Sequence, residues 1–285
     1  METPPFTRIE PHGSLSPLVV DSPHSGRDYP ADFNYACPLP LLRQTEDFKV
    51  DELVAGATEA GATLIAATFP RSYIDANRGE NDIDPAVLAE KWDAPLELTE
   101  RTAMGLGLVR RLCLANVNMY AAPLTVKEIR QRIQNYYRPY HAALEAALKR
   151  RMPIFGCSYL LNIHSMPSRN QDDVLAERPD IILGDRNGTS CDPSFTRAVG
   201  HMLHDMGYSI ALNEPYKGME IVRRHGSPAT GRHALQIEIN RALYMDERKL
   251  ELHDGFHTLR DNLTAFFKAL APTLAVEAPE QMAAE

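Results

Sequence analysis

Three apolar runs in this chain end in, or contain, a group able to do chemistry. Leu-Val-Val passes through Asp-Ser-Pro to His24, Tyr-Leu-Leu-Asn-Ile leads directly to His164, and Glu238 interrupts the alternating run Leu-Gln-Ile-Glu-Ile. Two imidazoles and one carboxylate are the usual ligands of a hydrolytic zinc site that keeps its fourth position for water. The carboxylate ligand is expected within TEDFKVDEL, residues 45–53, at the start of a helical stretch. Asp47 is preferred there; Glu46 and Asp51 compete with it, and helical phase alone does not separate the three. Glu238 shares the polar side of its strand with Gln236 and Asn240, opposite Leu235, Ile237 and Ile239. A carboxylate inside such a strand must be paired, hydrated or functional. The choice is between a structural pair with Arg241 or a neighbouring arginine and a general base acting on water at the metal.

Arginines supply the second kind of chemistry. Arg71, Asn77 and Arg78 lie in FPRSYIDANRGEND. A guanidinium grips a carboxylate through two parallel N–H bonds, so Arg78 beside Asn77 suits a substrate carboxylate. The alternative is internal pairing with Asp75, Glu80 or Asp82. Arg223, Arg224 and His225 form a second basic turn in IVRRHGSP, and Arg224 is a further candidate for the carboxylate clamp. HDGFH, residues 253–257, imitates a helical pair of zinc ligands, but a glycine interrupts it. Its histidines are assigned to a solvated or half-covered face, as are His201 and His204.

The elements that must position these groups follow from periodicity. Buried strands are expected at residues 17–21, 62–69, 159–164, 180–183, 208–212 and 234–239, with a further strand at 72–75 running into Asn77 and Arg78. Helical patterns cover 39–60, 125–151, 194–206 and 246–270. The second of these opens with Thr125 and Glu128 in capping-box spacing, and Pro139 should kink or split it. Alternation of strands and helices predicts an α/β fold with a mixed, mostly parallel sheet flanked by helices. Residues 83–107 read as a long excursion over the site. The chain reads as a single domain over 1–285, with 1–12 and 273–285 as flexible ends. Ligands of open α/β sheets bind beyond the carboxyl ends of the strands, which is where His24 and His164 are delivered.

Composition narrows the partners. A chain of 285 residues, 44% of them hydrophobic, can bury one large core. The net charge is -8 with no Lys/Arg block, which argues against nucleic acid. No apolar run approaches the ~18 residues of a membrane helix, and no signal peptide is read at the N-terminus. Four cysteines without a CxxC pair read as reduced thiols of a cytoplasmic protein. The expected partner is a small anionic substrate; the oligomeric state is not encoded in any pattern found.

Taken together, SPHSG, TED with DEL shortly after it, FPRSYIDANR, LNIHSM, RRHG and HALQIEINRALYMDE resemble the N-formylglutamate amidohydrolase family. They run in order from residue 21 to about 247. The resemblance implies a zinc-carboxypeptidase-like (phosphorylase/hydrolase-like) fold, related to the aspartoacylase-type deacylases. It implies one Zn²⁺ per chain held by His24, Asp47 and His164, with Glu238 as catalytic base. Arg71 would polarise the scissile carbonyl, and Asn77 with Arg78 would bind a substrate carboxylate. The implied reaction is hydrolysis of the N-acyl amide of a small acidic amino acid, N-formyl-L-glutamate being the best guess. A related deacylase, a small-peptide hydrolase and a silent binder of acidic amino acids are the alternatives. His/Asp ligation also accepts cobalt or manganese.

Overall fold

Short valine-, isoleucine- and leucine-rich runs form the strands of one seven-stranded sheet, seen in a computed structural model that describes residues 4–113, 117–169 and 178–275. In chain order the elements are β1 (Phe6–Ile9), β2 (Leu18–Ser22), α1 (Leu39–Arg43), α2 (Val50–Leu53), β3 (Thr63–Ala67), α3 (Glu100–Ala103), α4 (Val126–Arg132) and α5 (Arg138–Phe155). There follow β4 (Ser158–Met166), β5 (Ile181–Gly184), α6 (Pro193–Asp205), β6 (Ile210–Leu212), α7 (Glu220–His225) and β7 (Arg232–Asn240). A small hairpin, β8 (Met245–Asp246) with β9 (Glu251–Leu252), precedes α8 (Gly255–Leu274).

The strand order is β1-β3-β2-β4-β7-β5-β6. Strands β3, β2, β4 and β7 run parallel; β1 is antiparallel to β3, and β5 is antiparallel to β7 but parallel to β6. The mixed, mostly parallel α/β architecture is as expected. Both faces of the central strands are covered, as their near-continuous apolar runs require. Leu18, Val20, Leu161 and Ile163 point into one apolar layer with residues of α2, α6 and α8. Val19 and Leu160 point into the other, against α4, α5 and the excursion.

Several elements depart from the periodicity reading. The N-terminal segment is not a frayed end at Phe6–Ile9, which pair with β3 as an edge strand. That strand is short and half polar, so no apolar run announces it. Residues 72–75 form no strand. The Asp75 carboxylate accepts from the Asn77 N–H at 2.9 Å, a local bond that favours a turn over a ladder. The 39–60 stretch breaks into α1, α2 and a 3₁₀ turn, because Lys49 adopts a left-handed φ of 56°. Residues 246–252 are a hairpin region, and the last helix starts only at Gly255. The Thr125–Glu128 capping box is present. Pro139 does not split the helix, since a π-turn at Ile133–Tyr137 precedes it and α5 continues from Arg138. The excursion returns to the Asp75 segment, where the Leu108 N–H donates to Asp82 O and Leu108 O receives the Asp75 N–H.

Among the described residues no helix is long and apolar enough to cross a membrane. The four cysteines are buried and unpaired.

Helices α5 and α7 meet through two stacked, buried rings. His141 Nε2–H donates to Ala76 O at 2.9 Å, and its Nδ1 lies 3.1 Å from His225 Nε2. Burial pushes both imidazoles below their ordinary range; for His141 the neighbouring His225 adds to this. The unfolded chain therefore binds protons that the fold resists, so stability is full above about pH 6.5 and is lost as pH falls below it. Urea unfolding should show this loss between pH 7 and 5.5. His141→Gln should flatten that slope by up to ~1.4 kcal/mol per pH unit; an unchanged slope would exclude the ring pair as its source.

Candidate metal centre

Strand β2 ends in a tight turn that presents His24. The turn rests on the exit of β3: the Asp28 N–H donates to Thr68 O at 2.9 Å, and a Cβ on Gly26 would sit 2.0 Å from Phe69 O. Only glycine allows that approach. The loop after α1 is fastened to the same turn, with the Asp47 N–H on His24 O at 3.0 Å. His164 lies near the end of β4. His24 Nδ1 and His164 Nδ1 are 3.0 Å apart, although 140 residues separate them. Asp47 Oδ2 lies 3.1 Å from His164 Nδ1 and 3.4 Å from His24 Nδ1.

The remaining ring nitrogens fix the tautomers. His24 Nε2 meets the Asp75 carboxylate at 2.7 Å and therefore carries a proton. His164 Nε2 faces Asn162 Oδ1 at 2.8 Å, and the Asn162 amide is oriented by Asp21, which accepts its Nδ2–H at 3.0 and 3.1 Å. Both Nδ1 atoms are thus left as lone pairs facing a carboxylate oxygen. Three such donors repel one another unless a cation joins them. A tetrahedral ion with bonds of about 2.0–2.1 Å sets its ligands about 3.3 Å apart, which these distances match. The donor set fits zinc chemistry, and carboxylate or amide partners behind each ring are the usual outer support of metal-binding histidines.

Charge around the triad is strongly biased. Burial opposes ionisation of Asp47, but the two imidazoles that face it and the charge of Arg71 outweigh it and hold its carboxyl well below the usual range. Asp47 Oδ1 also receives Arg241 Nη2 at 3.3 Å, while the same nitrogen bonds Glu46 O at 2.6 Å and locks the loop. Asp75 is fully buried and is likewise held ionised, by Arg71, His24 and Arg78. Arg71 grips it through Nη2 at 2.9 Å and Nε at 3.2 Å. Glu238 lies beside His164 in the β4–β7 register, with Gln236 Nε2 on its Oε1 at 2.9 Å. Its pKa is raised by burial, against the opposing pull of His164, Arg71 and Arg241. That environment suits a carboxylate that accepts a proton and gives it back.

The structure therefore brings His24, Asp47, His164, Glu238 and Arg71 together. Glu46 turns away to accept Tyr29 OH at 2.5 Å, and Asp51 pairs with Arg27. Asn77 is adjacent but committed: its Oδ1 accepts from the Ile221 N–H at 2.9 Å, and its Nδ2 lies 3.3 Å from Gln236 Oε1 and 3.1 Å from His164 Nε2. Arg78 is buried, with Nε on Leu106 O and Nη1 on Asn77 O. Arg224 does not join the group. It projects from α7 as an exposed side chain over the Tyr137 ring, because the helical phase that buries Ile221 and Val222 turns it outward. His201, His204, His253 and His257 are exposed and remote in the fold. A cavity of about 840 Å³ lined by Tyr29, Phe69, Tyr73 and Tyr136 contains none of the triad.

Sequence reading missed Asp75 as the partner of His24, Asn162 as the partner of His164, and Arg110, whose Nη2 stands 3.7 Å from Asp75 Oδ2. For Asn162 a signal existed: two residues before His164, it shares the same strand face.

The profile of the N-formylglutamate amidohydrolase family matches residues 16–245. An N-formylglutamate deformylase of Pseudomonas putida is 31% identical over 244 residues, covering 83% of this chain and 84% of that one. A second, from Pseudomonas aeruginosa, is 31% identical over 238 residues, covering 81% and 83%. The crystal structure of an N-formylglutamate amidohydrolase from Ralstonia eutropha JMP134 superposes with a TM-score of 0.92 at 44% identity, covering 95% of this chain and 99% of that one. A protein from Agrobacterium tumefaciens shares the fold, with a TM-score of 0.69 at 15% identity, covering 95% of each chain. A family profile matched over residues 16–245 and relatives 31% identical over more than four fifths of its length show that the chain belongs to the N-formylglutamate amidohydrolase family.

Proposed function

We propose that this chain is a zinc-dependent amidohydrolase that cleaves N-formyl-L-glutamate to L-glutamate and formate. The observation that carries the reading is the convergence of His24 Nδ1, Asp47 Oδ2 and His164 Nδ1 within 3.0–3.4 Å, with ring tautomers preset by Asp75 and Asn162. The names of the Pseudomonas and Ralstonia relatives support the substrate. His24, Asp47 and His164 would hold one Zn²⁺, which when bound supplies a Lewis acid that polarises the carbonyl and acidifies water.

The protein's own groups do the rest. Glu238 takes the proton of the attacking water and returns it to the amide nitrogen as the C–N bond breaks. Arg71 faces the charge that develops on the carbonyl oxygen, where one well-placed donor is worth about 2.7–4 kcal/mol of barrier. Arg78 and its neighbours offset the negative charge of the substrate, which reconciles an acidic protein with an anionic ligand.

Metal content and formate release from N-formyl-L-glutamate, measured on one preparation, test the proposal. About one zinc per chain with turnover is expected, and chelation should abolish the turnover. Glu238→Gln should keep its zinc and lose ~10²–10⁴-fold in kcat; near-normal turnover would remove Glu238 as the base. Asp75→Asn should weaken zinc affinity by ~10–100-fold in a chelator competition. An affinity equal to that of the parent protein would show that Asp75 does not prepare His24.

A further inference from the structure

Three guanidinium groups crowd a single carboxylate at the triad. Arg71 is bonded to Asp75 Oδ2 at 2.9 Å, and Arg78 is tied to two backbone oxygens at 2.9 Å each. Arg110 stands at 3.7 Å from Asp75 Oδ2, beyond hydrogen-bond distance. It is 7% exposed, and its Nε is buried without a hydrogen-bond partner among the described residues. Burial and the charge of Arg71 pull its pKa down to about 9. Arg71, Arg78 and Arg110 bring three positive charges. Asp75, Asp82 beside Arg78, and Asp47 at 3.9 Å from Arg71 bring three negative ones, with Arg241 as a fourth cation on Asp47. Asp47 belongs to the donor triad and is also engaged by Arg241.

Arg110 is not a loose surface side chain. It follows Leu108, whose N–H is bonded to Asp82 O at 2.6 Å and whose carbonyl receives the Asp75 N–H at 2.8 Å. The backbone two residues before it is therefore tied to the Asp75 and Asp82 segments. A buried cation with unspent donors is costly unless an anion completes it, and a planar fork is matched best by a carboxylate.

We infer that Arg110 receives one of the two carboxylates of the substrate, flanked by Arg71 and Arg78, and so selects dianionic N-acyl amino acids over monoanionic ones. This rests on the amidohydrolase reading above. A site built around such a pair penalises a ligand that lacks the partner group, because its own buried donors are then left unpaired.

The test uses the zinc-loaded enzyme with three substrates: N-formyl-L-glutamate, N-formyl-L-glutamine and N-formyl-L-isoglutamine. Arg110→Met should lose about 100-fold or more in kcat/KM on the dianion, mainly through KM. On the monoanion lacking the carboxylate held by Arg110, the loss should stay within about threefold. An equal loss on all three substrates would overturn the inference. A second arm needs no turnover: glutarate should raise the Tm of the parent protein and leave that of Arg110→Met unmoved. Equal shifts in both would overturn it too. If the parent protein released no formate from any substrate, the amidohydrolase reading would fail, while the glutarate arm would still decide Arg110. Should Arg110→Met not fold, Arg110→Lys is measured in the same way; it keeps the charge without the fork and should lose about tenfold on the dianion alone.

Discussion

The Asp75 carboxylate is the junction on which the site depends. One side chain, wholly out of water, accepts His24 Nε2, the Arg71 fork and the Asn77 backbone N–H. A buried carboxylate is tolerated only when its lone pairs are filled and its charge is matched. Meeting that demand sets three things together: the tautomer of His24, the conformation of the turn after β3, and the gathering of arginines beside the triad. Loss of the charge would strand buried cations, at about 3–5 kcal/mol for a broken pair of this kind.

The sheet provides the rest of the frame. Parallel alignment of β2, β4 and β7 brings their carboxyl ends to one edge, and the register lines up Asp21, Asn162 and Gln236 in a single polar row. The next row carries His164 and Glu238. The first row orients the second: Asn162 turns His164, Gln236 bonds Glu238, and Tyr140 of α5 donates to Asp21. Burial pushes Asp21 up to about 7 even with those two partners. The layer of α4 and α5 thus covers a polar seam as well as an apolar core.

Much of this was legible in the sequence. His24, His164 and Glu238 stand out because strand ends and strand interiors are places where an ionisable group needs a reason. Asp47 could be narrowed only to one of three acidic residues. What separates them is the left-handed turn at Lys49 and the Asp47–His24 backbone bond, neither of which leaves a periodic trace. Arg224 looked equivalent to Arg78 as a residue type, yet helical phase sends it to solvent. Asp75 and Arg110 were hidden for another reason. Their roles are contacts between loops remote in sequence, and the local pattern around 72–75 suggested a strand where side-chain bonding makes a turn.

The three donor atoms come from positions 24, 47 and 164, so no short piece of chain contains the set. A nascent or half-folded protein offers at most scattered single imidazoles and carboxylates, with the weak affinity of free amino acids. The complete trio exists only after β4 has docked beside β2 and the loop at Asp47 has closed on the β2 turn. If a cation binds there as proposed, its uptake would be a late event that certifies assembly, and the captured ion would pin distant parts of the backbone against local opening.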